Sequence, residues 1–231
     1  MHLIIPVWFY GFDALMYFLS SIIGFLLSFY FYKIYSLSSE KRHMYLYLGF
    51  LLLSLGLLNL SISDTYSYIA FMNCHKVCVL GIIDNAFSLE DFSYFAYFGL
   101  SLFAYTMFLF AYKVEKFKYS TILIPLFIGY LLLILLTLPS TESIHLWQTY
   151  HEYFHLIAFL MTVFVAFRNV LNYTEKKNLN SFLVMISFSF ISLFHLFHLF
   201  SFVSGWMYVF AHISMLIGFS SLLVMVLRVK K

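Results

Sequence analysis

The chain has 231 residues, of which 63% are hydrophobic and 10% are charged, with a net charge of +3. Soluble globular proteins carry about 25% charged residues, so this chain has too few polar groups to cover its own surface and a soluble fold is excluded. Its basic residues do not alternate with aromatic residues on one face, so nucleic acid is not an expected partner. The expected partner is the lipid bilayer, and other membrane subunits are compatible with this composition.

Seven continuous apolar segments are long enough to cross a membrane, because a spanning helix needs about 20 mostly apolar residues. Helices are favoured over a barrel because the apolar runs are continuous and do not alternate with polar residues. The sequence therefore predicts an all-α polytopic membrane protein, in which residues 1–231 form a single transmembrane domain, a seven-transmembrane-helix bundle. The predicted spans are about 8–32, 44–63, 91–112, 120–138, 148–171, 181–203 and 206–228.

The basic residues indicate the orientation of the chain. Twelve of the 13 Lys and Arg residues form four clusters between the apolar segments, and cytoplasmic loops collect Lys and Arg. With all four clusters inside, the N-terminus lies outside and the C-terminus in the cytoplasm, as in a multi-pass protein of the plasma membrane. The clusters are Lys33/Lys41/Arg42, Lys113/Lys116/Lys118, Arg168/Lys176/Lys177 and Arg228/Lys230/Lys231.

The tryptophans agree with this orientation. Trp8, Trp147 and Trp206 all fall at predicted outer ends of spans, where indole rings suit the boundary of the lipid headgroups. Cys74 and Cys78 share the long outer loop, and the sequence leaves open whether they form a disulfide.

Five of the nine histidines fall in the outer half of the predicted spans. Ionisable groups inside a membrane usually face the interior of the bundle and mark function. His198 precedes Gly205 by seven residues and His212 follows it by seven, so the two reach the same depth on an antiparallel hairpin. Contact is expected among the last three spans, which carry these residues and are neighbours in sequence. The five are His151, His155, His195, His198 and His212.

The segment from His151 to His155 matches the pattern H-E-x-x-H. Residues i and i+4 of a helix share a face, so the two imidazoles can hold one zinc ion. We predict both as metal ligands, with His198 or His212 as the third, and Glu152 as the general base that activates a bound water. These five residues resemble the zinc metallohydrolases of the HExxH type, and the resemblance implies a zinc-dependent hydrolase. The alternative is two interfacial histidines that hydrogen-bond to the backbone or to water.

The same histidines suit other cofactors. His195 and His198 form an i,i+3 pair that can bind copper or an axial position of haem. Two axial imidazoles need matched depth, which His198 with His212, or His155 with His198, would provide. Such a site would make the chain a redox or electron-transfer subunit. Alternatively, the histidines only pack across helices, or they titrate near neutral pH in a sensor or interaction module without metal.

Asp13 is an acidic residue inside the first predicted span. We predict that it orients an imidazole by hydrogen bonding, as carboxylates do around metal-bound histidines. If the first helix begins later than residue 8, Asp13 is instead an interfacial residue.

The first predicted hairpin carries a resemblance to known proteins. Its residues resemble the first hairpin of uncharacterised archaeal seven-helix membrane proteins, and the resemblance implies that fold and no particular activity. Rhodopsins and G-protein-coupled receptors share the predicted topology, but the span 206–228 has no Lys for a retinal Schiff base. The resembling segments are Tyr10-Gly11-Phe12-Asp13-Ala14-Leu15, Tyr32-Lys33-Ile34-Tyr35 and Ser39-Glu40-Lys41-Arg42.

Overall fold

The computed structural model describes residues 6–9, 11–73, 89–112 and 146–229, and these residues are helical with short connections. The predicted span 120–138 and the two cysteines lie outside the described residues. A short 3-10 helix, Val7–Phe9, precedes six α-helices. We number them α1 (Phe12–Ser38), α2 (Lys41–Asn73), α3 (Leu89–Ala111), α4 (Leu146–Lys176), α5 (Leu179–Leu199) and α6 (Gly205–Val229).

All six helices are long and apolar enough to cross a membrane. Each of them exposes large apolar side chains on the outside of the bundle, where water would be a poor solvent for them. The all-α class of the prediction is therefore confirmed, and the chain has the architecture of a multi-pass membrane protein in contact with lipid. Examples of the exposed residues, one from each helix, are Phe29, Ile62, Phe103, Leu160, Leu179 and Leu227.

The start of α1 corrects the predicted span 8–32. Gly11 has a φ of 95°, a left-handed conformation that glycine adopts without a steric penalty. The Asp13 carboxylate then accepts hydrogen bonds from the backbone N–H groups of Gly11 (2.9 Å) and Ala14 (2.8 Å). Asp13 thus lies in the first turn of α1, buried.

Other helix ends also differ from the predicted ones. α2 continues to Asn73, beyond the predicted end at residue 63, and the part of it that is apolar enough to cross a membrane runs to Ile69. α4 extends the predicted span 148–171 at both ends, to Leu146 and Lys176. α5 ends at Leu199, before the predicted end at residue 203, and the chain turns there to enter α6.

The helices form a closed ring. Each packs against its neighbour along the sequence, and α1 returns to pack against α6. Neighbours joined by short connections are antiparallel: in the pair of α1 and α2, the hydroxyl groups of Ser61, Ser21 and Ser28 donate to the carbonyl groups of Ala14, Ser54 and Tyr47 at successive levels. Such bonds between helices suit a lipid solvent, because no water competes for them.

Two pairs of helices are parallel. Asp13 and Gly24 of α1 contact Tyr208 and Phe219 of α6, so the residue numbers rise together along this pair. α3 and α4 are also parallel, since the ring of Phe98 stacks on Phe154 and Tyr112 lies beside Asn169. The chain therefore leaves α3 at one end of the bundle and enters α4 at the other.

We call the end at which α1, α3, α4 and α6 begin the histidine end, because the buried histidines lie towards it. The exposed rings of Trp8 and Trp206 contact each other there, with centroids 5.7 Å apart. Nothing is described of the Trp147 side chain. The basic residues of the described helices, Lys33, Lys41, Arg42, Arg168, Lys176, Lys177 and Arg228, belong to the opposite end.

Candidate metal centre

Helices α4, α5 and α6 bring five imidazoles together in the interior of the bundle. None of the five residues is more than 5% exposed, and each ring contacts at least one other histidine ring. The expected contact among the helices that carry them is confirmed. A membrane interior offers these polar rings no water, so their partners must be other protein groups or a bound ion.

Three of the five could hold a metal ion. One ring nitrogen from each of His151, His155 and His198 lies within 4.8 Å of the other two. His151 and His155 are one turn apart on α4, with ring centroids 4.3 Å apart, as the helical spacing predicts. His198 comes from the antiparallel α5, and its ring stacks on His155 at 4.5 Å with an angle of 10° between the planes.

An ion with tetrahedral nitrogen ligands fits only after side-chain movements, because a ring lone pair lies in the plane of its ring and the stacked rings of His155 and His198 must turn towards a common point. Zinc–nitrogen bonds of about 2.0–2.1 Å place the nitrogens of a tetrahedron about 3.3 Å apart, so the ligand atoms must approach by up to about 1.5 Å. Rotation about the side-chain bonds of the imidazoles supplies movement on this scale. Both ring nitrogens of His198 are buried without a hydrogen-bond partner, a state that costs about 1–3 kcal/mol per group. Metal binding would satisfy one of them.

His212 lies next to this group without belonging to it. Its ring centroid is 5.2 Å from that of His198, which confirms the matched depth of the two residues. Its Nδ1 lies 2.9 Å from the carbonyl oxygen of Tyr208. A carbonyl only accepts, so Nδ1 carries the hydrogen and Nε2 of the neutral ring keeps a lone pair. That Nε2 is buried and has no hydrogen-bond partner.

His195 is engaged at both ring nitrogens. Its Nδ1 lies 2.9 Å from Nδ1 of His155, and its Nε2 lies 2.6 Å from the hydroxyl oxygen of Tyr105 on α3. This ring is therefore a neighbour of a candidate ligand in this arrangement, and its predicted role in binding a cofactor would require one of the two bonds to break. A haem between His155 and His198 would likewise require their stacked rings to separate.

Glu152 does not share the position of the three candidate ligands. Successive residues of a helix point about 100° apart, and Glu152 is partly exposed on the side of α4 next to the exposed Tyr153. Among the described residues, its carboxylate is not part of the group of ligand atoms.

Asp13 is linked to the histidines by a hydrogen bond through Tyr208. Its Oδ2 accepts a hydrogen bond of 3.0 Å from the Tyr208 hydroxyl, and the carbonyl of the same residue accepts the N–H of His212. The predicted direct bond from Asp13 to an imidazole is replaced by this indirect link.

The sequence analysis missed Tyr105 as a member of the site and gave Tyr208, which it placed on the outer side, no specific role. Tyr105 is 90 positions from its partner His195, and Tyr208 is 195 positions from its partner Asp13. The two contacts join α3 with α5 and α1 with α6, helices that are far apart in sequence, and no local spacing in the sequence signals them.

Comparisons of this chain with protein families, with curated proteins and with solved structures found no match. The chemistry of the site therefore has to be argued from its own geometry.

Proposed function

We propose that the protein is a plasma-membrane metalloprotein in which His151, His155 and His198 bind one zinc ion in the outer half of the bilayer. The observation that carries the proposal is the group of three buried imidazoles with a ring nitrogen each within 4.8 Å. Zinc takes imidazole nitrogens in tetrahedral geometry. Copper, nickel and iron accept the same ligands, so zinc is the first metal to test.

Three protein ligands leave the fourth position of a tetrahedral ion open. An open position that holds water is typical of catalytic zinc, whereas four protein ligands are typical of structural zinc. His212 lies beside His198, and its Nε2 has a lone pair but no hydrogen-bond partner. It is therefore the residue that would bind the ion as a fourth ligand or hydrogen-bond to the water. We propose the open form, and with it a membrane-embedded metallohydrolase.

Glu152 is the proposed general base of this hydrolase, by its position in the H-E-x-x-H segment. Because the residue is partly exposed, a rotation of its side chain would be needed to reach a zinc-bound water. The ion would lower the pKa of that water and supply a nucleophile near neutral pH.

The proposed orientation has seven crossings, with the N-terminus outside and the C-terminus in the cytoplasm. Two observations support it. The parallel arrangement of α3 and α4 requires residues 113–145 to join opposite ends of the bundle, which one further crossing at 120–138 would do. The basic residues of the described helices belong to the end opposite the histidines, as expected of a cytoplasmic face.

Elemental analysis of the protein purified gently in lipid nanodiscs tests the proposal. We expect about one zinc per chain, and loss of that zinc in His151→Ala, His155→Ala and His198→Ala. His43, which pairs with Glu40 at the opposite end, provides the matched control: His43→Ala should keep the metal. Wild-type protein without stoichiometric metal would refute the metal site, and a Soret band would select haem in its place.

Glu152→Gln separates catalysis from metal binding. We expect this variant to keep its zinc and, on any ester or amide that the wild-type protein hydrolyses, to lose about 10²–10⁴-fold in rate. Loss of zinc in this variant would make Glu152 a ligand and would remove it as the base.

A further inference from the structure

The hydrogen bonds around His195 decide whether His155 can bind a metal. Nδ1 of His155 and Nδ1 of His195 lie 2.9 Å apart, so one of them must carry the shared hydrogen. The other nitrogen of His195 lies 2.6 Å from the Tyr105 hydroxyl, a group that can donate or accept. The positions of the hydrogens along Tyr105, His195 and His155 are therefore linked.

Two arrangements of these hydrogens are possible with neutral rings. In the first, Tyr105 donates to His195, and His195 donates to Nδ1 of His155. His155 then carries its own hydrogen on Nε2, and neither of its nitrogens has a lone pair free for a metal. In the second, His155 donates from Nδ1 to His195, and His195 donates from Nε2 to the Tyr105 oxygen. Only this arrangement leaves a lone pair on Nε2 of His155.

We infer that His195 and Tyr105 are positioning residues that hold His155 in its metal-binding tautomer. The inference rests on the proposed function, because it assigns roles around the same ion. Metal-bound histidines usually donate their other N–H group to a fixed acceptor, which sets the orientation of the ring. Here the acceptor is a second imidazole, and the buried hydroxyl of Tyr105 receives the hydrogen of that imidazole in turn.

The inference gives the three helices around the site different tasks. α4 and α5 supply the three ligands, whereas Tyr105 of α3 acts through His195. Both positioning residues are at most 1% exposed, so no water can replace either hydrogen bond without rearrangement of the core. Loss of either hydrogen bond should therefore weaken metal binding.

Zinc affinity of the full-length protein in nanodiscs, measured by competition with a chromophoric chelator, tests the inference. His195→Leu removes the acceptor and should weaken binding about 10–100-fold. His195→Asn places a side-chain carbonyl oxygen near the position of Nδ1, so it should recover most of that loss. Tyr105→Phe removes one hydrogen bond one step further away and should weaken binding about fivefold. His43→Leu, at the opposite end, should bind as wild type does.

The relative zinc affinities of His195→Leu and His195→Asn distinguish a positioning role of His195 from a packing role. Leu fills the space of His195 better than Asn does, so a packing role would make His195→Asn at least as harmful as His195→Leu. As a second readout, ¹⁵N NMR of the zinc-loaded protein should show Nδ1 of His155 protonated in the wild type and in His195→Asn. Equal losses in the two variants, or wild-type affinity in His195→Leu, would overturn the inference while zinc binding itself stands. A wild-type protein that binds no zinc would overturn the proposed function as well.

Discussion

His198 is the residue whose surroundings most strongly favour a bound metal ion. Its two ring nitrogens are buried without partners, whereas His195, one turn away on α5, uses both of its own. Burying an unsatisfied polar group is unfavourable, and in a lipid environment water cannot relieve it. A residue of this kind weakens the metal-free protein and gains its partner when an ion binds.

Replacement of His198 by Leu should therefore separate stability from metal binding. We expect His198→Leu to lose the zinc but to leave the metal-free bundle as stable as the wild type or more stable by about 1–3 kcal/mol, because two unsatisfied nitrogens disappear. Unfolding by sodium dodecyl sulfate in mixed micelles, in the presence of a chelator, measures the difference. A large loss of stability in the metal-free variant would mean that His198 has a polar partner in the native protein.

Sequence and structure agree on which histidines meet and disagree on what surrounds them. The depth of His151, His155, His198 and His212 follows from helix rise and from the turn before Gly205, so their meeting could be predicted. The partner of His195 could not be predicted, because the contact of α3 with α5 joins helices that are not neighbours in sequence and is set by side-chain fit.

At the scale of the helix, close contacts in the described bundle occur where a residue is small. A Cβ built on Gly218 of α6 would lie 3.0 Å from the carbonyl oxygen of Ser187 on α5, an atom of the backbone that cannot move aside. By contrast, a Cβ on Gly99 of α3 would meet no atom of the described residues within 4 Å. Small residues permit such close approach of helices in membranes.

These two glycines form a matched pair for a test of helix packing. Gly218→Leu should push α6 away from α5 and destabilise the bundle by about 1–3 kcal/mol. Gly99→Leu places the same side chain in open space and should be neutral or stabilising by up to about 1 kcal/mol, since glycine is a poor helix former. Thermal unfolding in nanodiscs measures the stability of both variants. Equal effects would show that the close contact of α5 with α6 at Gly218 does not limit the stability of the bundle.

Helix bounds were less predictable than helix existence. Hydropathy locates the apolar part of each helix, but it gives no sign of the left-handed conformation of Gly11, after which α1 begins. It also did not predict that α2 continues to Asn73. The left-handed backbone of Gly11, rather than burial, sets where α1 begins.

At the scale of the whole molecule, the ring of described helices brings the first and the last of them side by side at the histidine end. Because α1 packs beside α6, the first and last described helices both begin at the histidine end and run in the same direction. In the proposed orientation with seven crossings, Trp8 lies outside and Arg228 lies inside.

Labelling of single cysteines in intact cells tests this orientation. With Cys74 and Cys78 changed to Ser, a membrane-impermeant maleimide should label Trp8→Cys and Ser204→Cys, and should label Glu40→Cys only after the membrane is opened. Labelling of Glu40→Cys in sealed cells would reverse the orientation. Equal access to Trp8→Cys and to a cysteine in place of Lys231 would instead indicate an even number of crossings.

The distribution of the site along the chain has a consequence for biogenesis. The three proposed ligands and both flanking histidines belong to α4, α5 and α6, within residues 146–229. A ribosome makes and releases the N-terminal part first, so α1 to α3 enter the bilayer before any of these imidazoles exists. The three proposed ligands could hold an ion together only once α5, which carries His198, has been made. The nascent chain would therefore have to be retained in its membrane without any help from the metal.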